Sequence, residues 1–260
     1  MIMLQHKVIL EKHIIEPEGI PALALYKDDG RKKPLIITVH GYTGSKSGEI
    51  DYCLILAEEG FLPVSIDARL HGERTVPDFE QRMAANFPKE ILGVLIGTAE
   101  DIPLAIDYFV QRADVLPGKI GVMGVSMGAS IAYLATTLDD RIKVSVPIIG
   151  SPGWDLSLRP KDPEQFGAWP EPDDELKALV AKYNPLNRTG RFFPKALLML
   201  NGVQDEMVLI DGPRQLYEKL QPLYQGRPVR LSFIAYEGVG HEFTEEMRHQ
   251  AVRWFKRFLA

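Results

Sequence analysis

The stretch Lys119–Gly128, KIGVMGVSMG, decides the fold. It opens as a short apolar run suited to a buried strand and closes on the pentapeptide Gly124-Val125-Ser126-Met127-Gly128, a G-x-S-x-G. From Met127 to Leu138 the apolar residues change to helical spacing. With 22 Gly and 9 Ser in 260 residues, such a pentapeptide arises by composition in about one chain in fifteen, so its context must carry the reading. Here a strand runs into a helix through a turn that must be sharp. That turn lifts the Ser126 hydroxyl above the sheet edge, and the two glycines let backbone and helix approach without side-chain collision.

Moving outward, the same alternation repeats. Leu35–His40, Leu62–Asp67, Val144–Ile149, Ala196–Asn201 and Val229–Ala235 read as further strands. Their apolar runs are continuous, as in a parallel sheet covered on both faces. Glu49–Glu59, Lys89–Arg112, Pro213–Leu223 and Thr244–Leu259 read as helices. Pro103 predicts a kink or break near Asp101 in the second of these. Lys7–Glu16 and Ile20–Tyr26 read as an antiparallel hairpin on the sheet edge. The alternation predicts an α/β protein with a mostly parallel central sheet flanked by helices. Two segments interrupt it. Thr75–Pro88 is expected to be irregular. Ser151–Gly190 holds six prolines and two of the three tryptophans, Trp154 and Trp169, with one short helix expected over Asp173–Tyr183. A structureless loop of that length is uncommon without a function. It is read as a lid insert (151–190) in a core formed by 1–150 and 191–260, with Trp154 and Trp169 as candidate substrate contacts.

Composition narrows the function. The formal net charge is −5, apolar residues make up 45% and charged residues 25%. This balance gives no electrostatic reason to bind nucleic acid, and no apolar run reaches the roughly 18 residues of a membrane span. The first ten residues meet His6 and Lys7 too early for a secretory signal, so the chain is expected to be mature and cytoplasmic. Cys53 is the one cysteine, which rules out an intramolecular disulfide framework, and its helical apolar setting predicts a packed core thiol.

A serine hydroxyl needs a base, and the base needs an orienting acid. His241, in EGVGHEF, follows the last strand at the sheet edge where such a base belongs. His6, His13 and His249 fall in the hairpin and the terminal helix and read as structural or solvated. Asp205 is the first acid after the strand Ala196–Asn201; Glu206 and Asp211 are its rivals. The loop His40-Gly41-Tyr42-Thr43-Gly44 closes the first long strand. Its Tyr42 N–H and the Met127 N–H are the candidate donors to an oxyanion. Asp67, Arg69, His71 and Arg74 are expected to form a structural ion-pair network. Gly41–Ser47 lacks the spacing of a phosphate loop, and His241–Glu245 lacks the second histidine of H-E-x-x-H. Neither a nucleotide, a catalytic metal nor any other cofactor is expected.

In order, HGYTG, DARLHGER, GVSMG, Asp205 and GHEF resemble the α/β-hydrolase superfamily, whose members carry Ser, Asp and His in this order along the chain. The similarity spans nearly the whole chain. It is nearest the bacterial esterases of the dienelactone-hydrolase and prolyl-oligopeptidase-like branch. Ser126 stands where dienelactone hydrolases proper usually carry cysteine, and the propeller gate of an oligopeptidase is expected to be lacking. The resemblance implies the α/β-hydrolase fold and a small-molecule ester substrate cleaved through an acyl-enzyme, with short- to medium-chain acyl groups. A serine peptidase and an acyl thioesterase share the machinery and remain alternatives. A hydrolase-fold binding protein would normally lack one of the three residues.

Overall fold

The computed structural model describes residues 7–154 and 172–260. Eight strands form one sheet: β1 (Val8–Ile15), β2 (Ile20–Lys27), β3 (Lys33–Val39), β4 (Leu62–Ile66), β5 (Val115–Val125), β6 (Ile142–Ile148), β7 (Ala196–Gly202) and β8 (Leu231–Tyr236). Their spatial order is β1-β2-β4-β3-β5-β6-β7-β8. The hairpin β1–β2 is antiparallel, β2 meets β4 antiparallel, and every pair from β4 to β8 is parallel. The expected edge hairpin and parallel centre are therefore both present.

The apolar runs are continuous because each strand feeds two cores. In β3, Leu35, Ile37 and Val39 enter one cluster, while Ile36 points into the other. The first cluster takes residues from α2 (Phe79–Phe109) and α3 (Met127–Leu138). The second takes Tyr52 and Leu56 from α1 (Ile50–Glu58), and Met247, Ala251 and Phe255 from the C-terminal helix, Glu245–Phe258. Cys53 is fully buried on α1, as a packed thiol.

The helix over residues 79–109 breaks elsewhere than expected. Its interruption is at Asn86 (φ −158°, ψ 74°), and the chain passes Pro103 as helix. Asn86 caps the second part: its Oδ1 accepts the Lys89 N–H at 3.2 Å. Pro88 then falls in the first turn, where a missing N–H costs nothing. At Pro103 the helix interior loses about 3 kcal/mol of intrinsic preference. Ile102, Ile106 and Phe109 are fully buried around it, and each such side chain contributes about 1.5–3 kcal/mol. Packing therefore outweighs propensity there. The segment expected to be irregular thus contributes helix from Phe79 up to the break.

Of the expected insert, residues 155–171 lie outside the described residues, and Trp169 with them. The described remainder includes α4 (Asp174–Tyr183), close to the helix expected over Asp173–Tyr183. Asp173 caps it, accepting the Leu176 N–H at 2.7 Å. Two further helices complete the chain: α5 (Asp211–Leu220) and α6, the C-terminal helix. Among the described residues, no helix is long and apolar enough to cross a membrane.

The tightest joint lies where β5 turns into α3. A Cβ on Gly124 would stand 2.0 Å from the Gly128 carbonyl oxygen, and one on Gly128 would stand 2.1 Å from the Val39 carbonyl oxygen. Backbone cannot yield as a side-chain tip can. Gly128→Ala is expected to destabilise the fold by at least about 3 kcal/mol, beyond the range of ordinary substitutions, measured by urea unfolding; a loss below 1 kcal/mol contradicts this packing account.

Candidate active site

The strand-to-helix turn holds Ser126 at φ 55° and ψ −115°, a conformation that costs an L-residue about 1–3 kcal/mol. Its N–H donates to the Ile148 carbonyl at 2.9 Å, and its own carbonyl accepts the Ala129 N–H at 2.9 Å. These bonds anchor the turn to β6 and to the first turn of α3.

The loops after β7 and β8 are stitched together beside it. Val203 N–H donates to the Tyr236 carbonyl at 3.0 Å and Gln204 N–H to the Val239 carbonyl at 2.9 Å. Gly202 permits this approach, since a Cβ there would meet the Val239 oxygen at 2.3 Å. Asp205 and His241 follow immediately on either side of the joint. The Asp205 side chain is completely buried. Its Oδ1 accepts the N–H groups of Met207 (2.9 Å) and Val208 (2.8 Å), and its Oδ2 lies 2.7 Å from His241 Nδ1. His241 Nε2 lies 2.8 Å from Ser126 Oγ. A carboxylate only accepts, so Nδ1 carries the hydrogen and Nε2 is left to accept from the serine hydroxyl. The rivals stand apart: Glu206 is exposed, and Asp211 is exposed and pairs with Arg214 at 3.3 Å.

Tyr42 sits in a loop held against this group. A Cβ on Gly41 would lie 3.6 Å from Ser126 Cβ. The Gly41 carbonyl accepts from His40 Nδ1 at 2.7 Å and from the Gly44 N–H at 3.0 Å. That carbonyl and the Tyr42 N–H belong to one planar trans peptide, so fixing one fixes the other in the opposite direction. His40 Nε2 accepts the Ala68 N–H at 3.1 Å, so both ring nitrogens are engaged by one neutral tautomer. Burial holds His40 below the usual imidazole range, and does the same to His71. Among the described residues, neither Tyr42 N–H nor Met127 N–H meets a hydrogen-bond acceptor.

The sequence reading missed an aromatic group beside this loop. The Tyr42 ring is 38% exposed. It lies 5.5 Å from His71, 6.1 Å from Phe79 and 5.6 Å from Phe87 between centroids. Eight residues of straight helix would separate Phe79 from Phe87 by about 12 Å along its axis; the break at Asn86 brings both rings to Tyr42. The only sequence signal was the pairing of Asn86 with Pro88.

Asp67, Arg69 and Arg74 enter ion pairs as expected, but with Lys46 and Asp101 and not with one another, and they support the same loop. Buried Asp67 accepts from Lys46 N–H (2.7 Å), Lys46 Nζ (2.6 Å) and Glu73 N–H (2.9 Å). Buried Asp101 takes Arg69 at 2.7 Å and Arg74 at 2.6 Å. His71 joins no ion pair there; its Nδ1 bonds the Arg69 carbonyl at 2.9 Å. Of the other histidines, His13 contacts Glu11 and Tyr108, His249 pairs with Glu245, and His6 lies outside the described residues. Trp154 is 1% exposed, within the cluster that contains Met127 and Leu176. Among the described residues, no group of three or more His, Cys, Asp or Glu side chains could hold a metal ion.

A serine on the turn after β5 of this sheet, with acid and histidine brought in from β7 and β8, is the α/β-hydrolase arrangement, and the chain is a hydrolytic enzyme of that class. Residues 89–260 match the prolyl oligopeptidase family, and the chain belongs to it. It is 27% identical over 249 residues to YitV of Bacillus subtilis, provisionally named an esterase, covering 93% of this chain and 96% of that one. It is 26% identical over 251 residues to the esterase YjfP of Escherichia coli, covering 94% and 97%. The crystal structure of TT1662 from Thermus thermophilus superposes with a TM-score of 0.80 at 25% identity, over 97% of this chain and 98% of that one.

The buried imidazoles set a pH dependence. His40 and His71 titrate lower when folded than when unfolded. Below the unfolded value of about 6.5, the unfolded chain therefore binds more protons and stability falls with pH. Urea midpoints measured from pH 7.5 down to 5 should drop for the parent chain, and the drop should be smaller for His40→Gln. An equal drop in both proteins would contradict the assignment.

Proposed function

We propose that the chain cleaves carboxylic esters through an acyl-enzyme. The observation that carries this is the continuous bonded series Asp205–His241–Ser126 beside two N–H groups that meet no acceptor among the described residues. In this reading Ser126 Oγ attacks the substrate carbonyl carbon as its proton passes to His241 Nε2. Asp205 accepts from Nδ1–H throughout, fixing the tautomer and stabilising the imidazolium. The carbonyl oxygen, now an oxyanion, is held by Tyr42 N–H and Met127 N–H, the latter at the N-terminus of α3 where negative charge is favoured. The C–O bond to the alcohol breaks, and His241 returns the proton to the leaving oxygen. Water then attacks the acyl-serine by the same route and releases the acid and Ser126.

The esterase names of the two relatives support esters over the other acyl compounds. The family name favours one second reading, a peptidase, which uses the same steps with an amine leaving group. We further propose that the acyl group is short to medium and lies against the rings of Tyr42, Phe79 and Phe87. In this reading the segment 151–190 acts as the cap and supplies substrate contacts. Trp154 itself is 1% exposed and packed in the core cluster that also holds Met127 and Leu176, so it anchors the segment and substrate contacts come from elsewhere in it.

Ser126→Ala should lower kcat at least about 10³-fold, and a fluorophosphonate should label Ser126 stoichiometrically, as located by mass spectrometry; an adduct elsewhere would refute the mechanism. Asp205→Asn should reduce kcat strongly while Glu206→Gln and Asp211→Asn stay near the parent value, and the reverse pattern transfers the acid role. Across p-nitrophenyl esters from C2 to C16, kcat/KM should peak between acetyl and about hexanoyl, an extent set by ordinary pocket sizes. A peak at C10 or beyond contradicts the short-acyl reading, and faster turnover of aminoacyl anilides than of any ester would establish the peptidase.

A further inference from the structure

A concave site lies at the opposite edge of the sheet from Ser126, around the segments that enter β6, β7 and β8. It is a cavity of about 520 Å³ whose lining includes Lys143, Arg191, Lys195, Arg227 and Arg230. One carboxylate, Asp140, faces these five cations. In a chain of net charge −5, such a gathering of positive charge is local and needs its own account.

The internal partners do not neutralise it. Asp140 is shared between Arg191 at 3.2 Å and Lys195 at 3.4 Å. The Lys195 side chain is 5% exposed. Its ammonium donates to the main-chain carbonyls of Thr136 and Asp139, which supply dipoles but no charge. Burial accordingly pulls the Lys195 pKa below the usual lysine range. Lys143 Nζ likewise donates to a main-chain oxygen, that of Asp140, at 2.8 Å. The Arg230 guanidinium lies over the Phe258 ring at 5.2 Å. Among the described residues, the Arg227 side chain has no hydrogen bond or ion pair. Like charges converging on one concavity repel, and an anion of more than one charge relieves that repulsion.

The lining is not wholly polar. Phe193 and Pro194 form part of the wall. Phe193 is 41% exposed and stands edge-to-face on Tyr224, with centroids 5.3 Å apart. Arginine forks suit phosphate oxygens, and an exposed ring suits a flat organic group. We propose that this cavity binds a phosphorylated small molecule, with its phosphate on Arg227, Arg230 and Lys143 and its organic body on Phe193. The seven residues of β7, at about 3.3 Å each, place it roughly 20 Å from the Ser126 edge, so it does not depend on the reading of the catalytic group.

Titration calorimetry at fixed ionic strength tests this with two probes, phenyl phosphate and inorganic phosphate. Phenyl phosphate should bind one per chain and more tightly than inorganic phosphate. The double variant Arg227→Gln/Arg230→Gln should weaken both by at least about tenfold, the loss expected for one charge-assisted bond. Phe193→Ala should remove the preference for phenyl phosphate while retaining inorganic phosphate. Protein labelled at Ser126 with a fluorophosphonate should bind as the unlabelled protein does. The proposal is overturned by any of four results: no saturable heat by about 10 mM, a range covering the weakest specific sites; unchanged affinity in the double variant; loss of binding on Ser126 labelling; or displacement of phenyl phosphate by a single-stranded oligonucleotide at lower concentration, which would mark a polyanion surface instead.

Discussion

Three main-chain segments meet at Gly124, Gly128 and the Val39 carbonyl more closely than any side chain would allow, and the site depends on that contact. It lets α3 begin directly above the sheet edge, so Ser126 projects from a fixed platform and not from a loose loop. The strained dihedrals of Ser126 persist because β6 on one side and α3 on the other over-determine them. The same device recurs at Gly202, where the loop following β8 rests on the end of β7. Close backbone approach thus sets the distances from Ser126 to His241 and from His241 to Asp205. Both fall within hydrogen-bond reach.

Two buried carboxylates organise the neighbouring loops. Removing Asp67 and Asp101 from water is expensive, and a buried pair is by itself weak evidence of net stability. Their contribution is geometric. Asp67 collects donors from Lys46 and Glu73, and Asp101 collects Arg69 and Arg74 from a turn 27 to 32 residues away. The loop carrying Tyr42 is therefore bordered by segments that can take few other arrangements. His40 completes the frame, since its two ring nitrogens tie Gly41 to Ala68.

The mostly parallel sheet and its edge hairpin were legible because continuous apolar runs leave few other architectures, whereas the order of the strands was not read. The turn at Ser126 was legible because its glycine requirement is local. Placing Asp205 beside His241 was a choice among three acids; burial distinguishes them, and burial is a property of the folded chain. What stayed hidden was non-local. His40 reads as half of a common dipeptide, and its role comes from Ala68, 28 residues on. The helix break was misplaced because Pro103 is the more conspicuous signal. Whether a proline interrupts a helix depends on how deeply its neighbours are buried, and composition does not state that.

The break at Asn86 also separates two kinds of inheritance. Phe79 belongs to a short helical piece on the far side of the break, and Phe87 follows it directly. Neither residue contributes to the sheet or to the turn at Ser126. Exchanging these rings, or shortening or tilting the piece, therefore changes the surroundings of Tyr42 and leaves the sheet in place. Ser126, Asp205 and His241 meanwhile follow β5, β7 and β8 in the parallel part of the sheet. The aromatic group beside Tyr42 and the bonded series Asp205–His241–Ser126 thus belong to different stretches of chain, with a single asparagine at the boundary of the first.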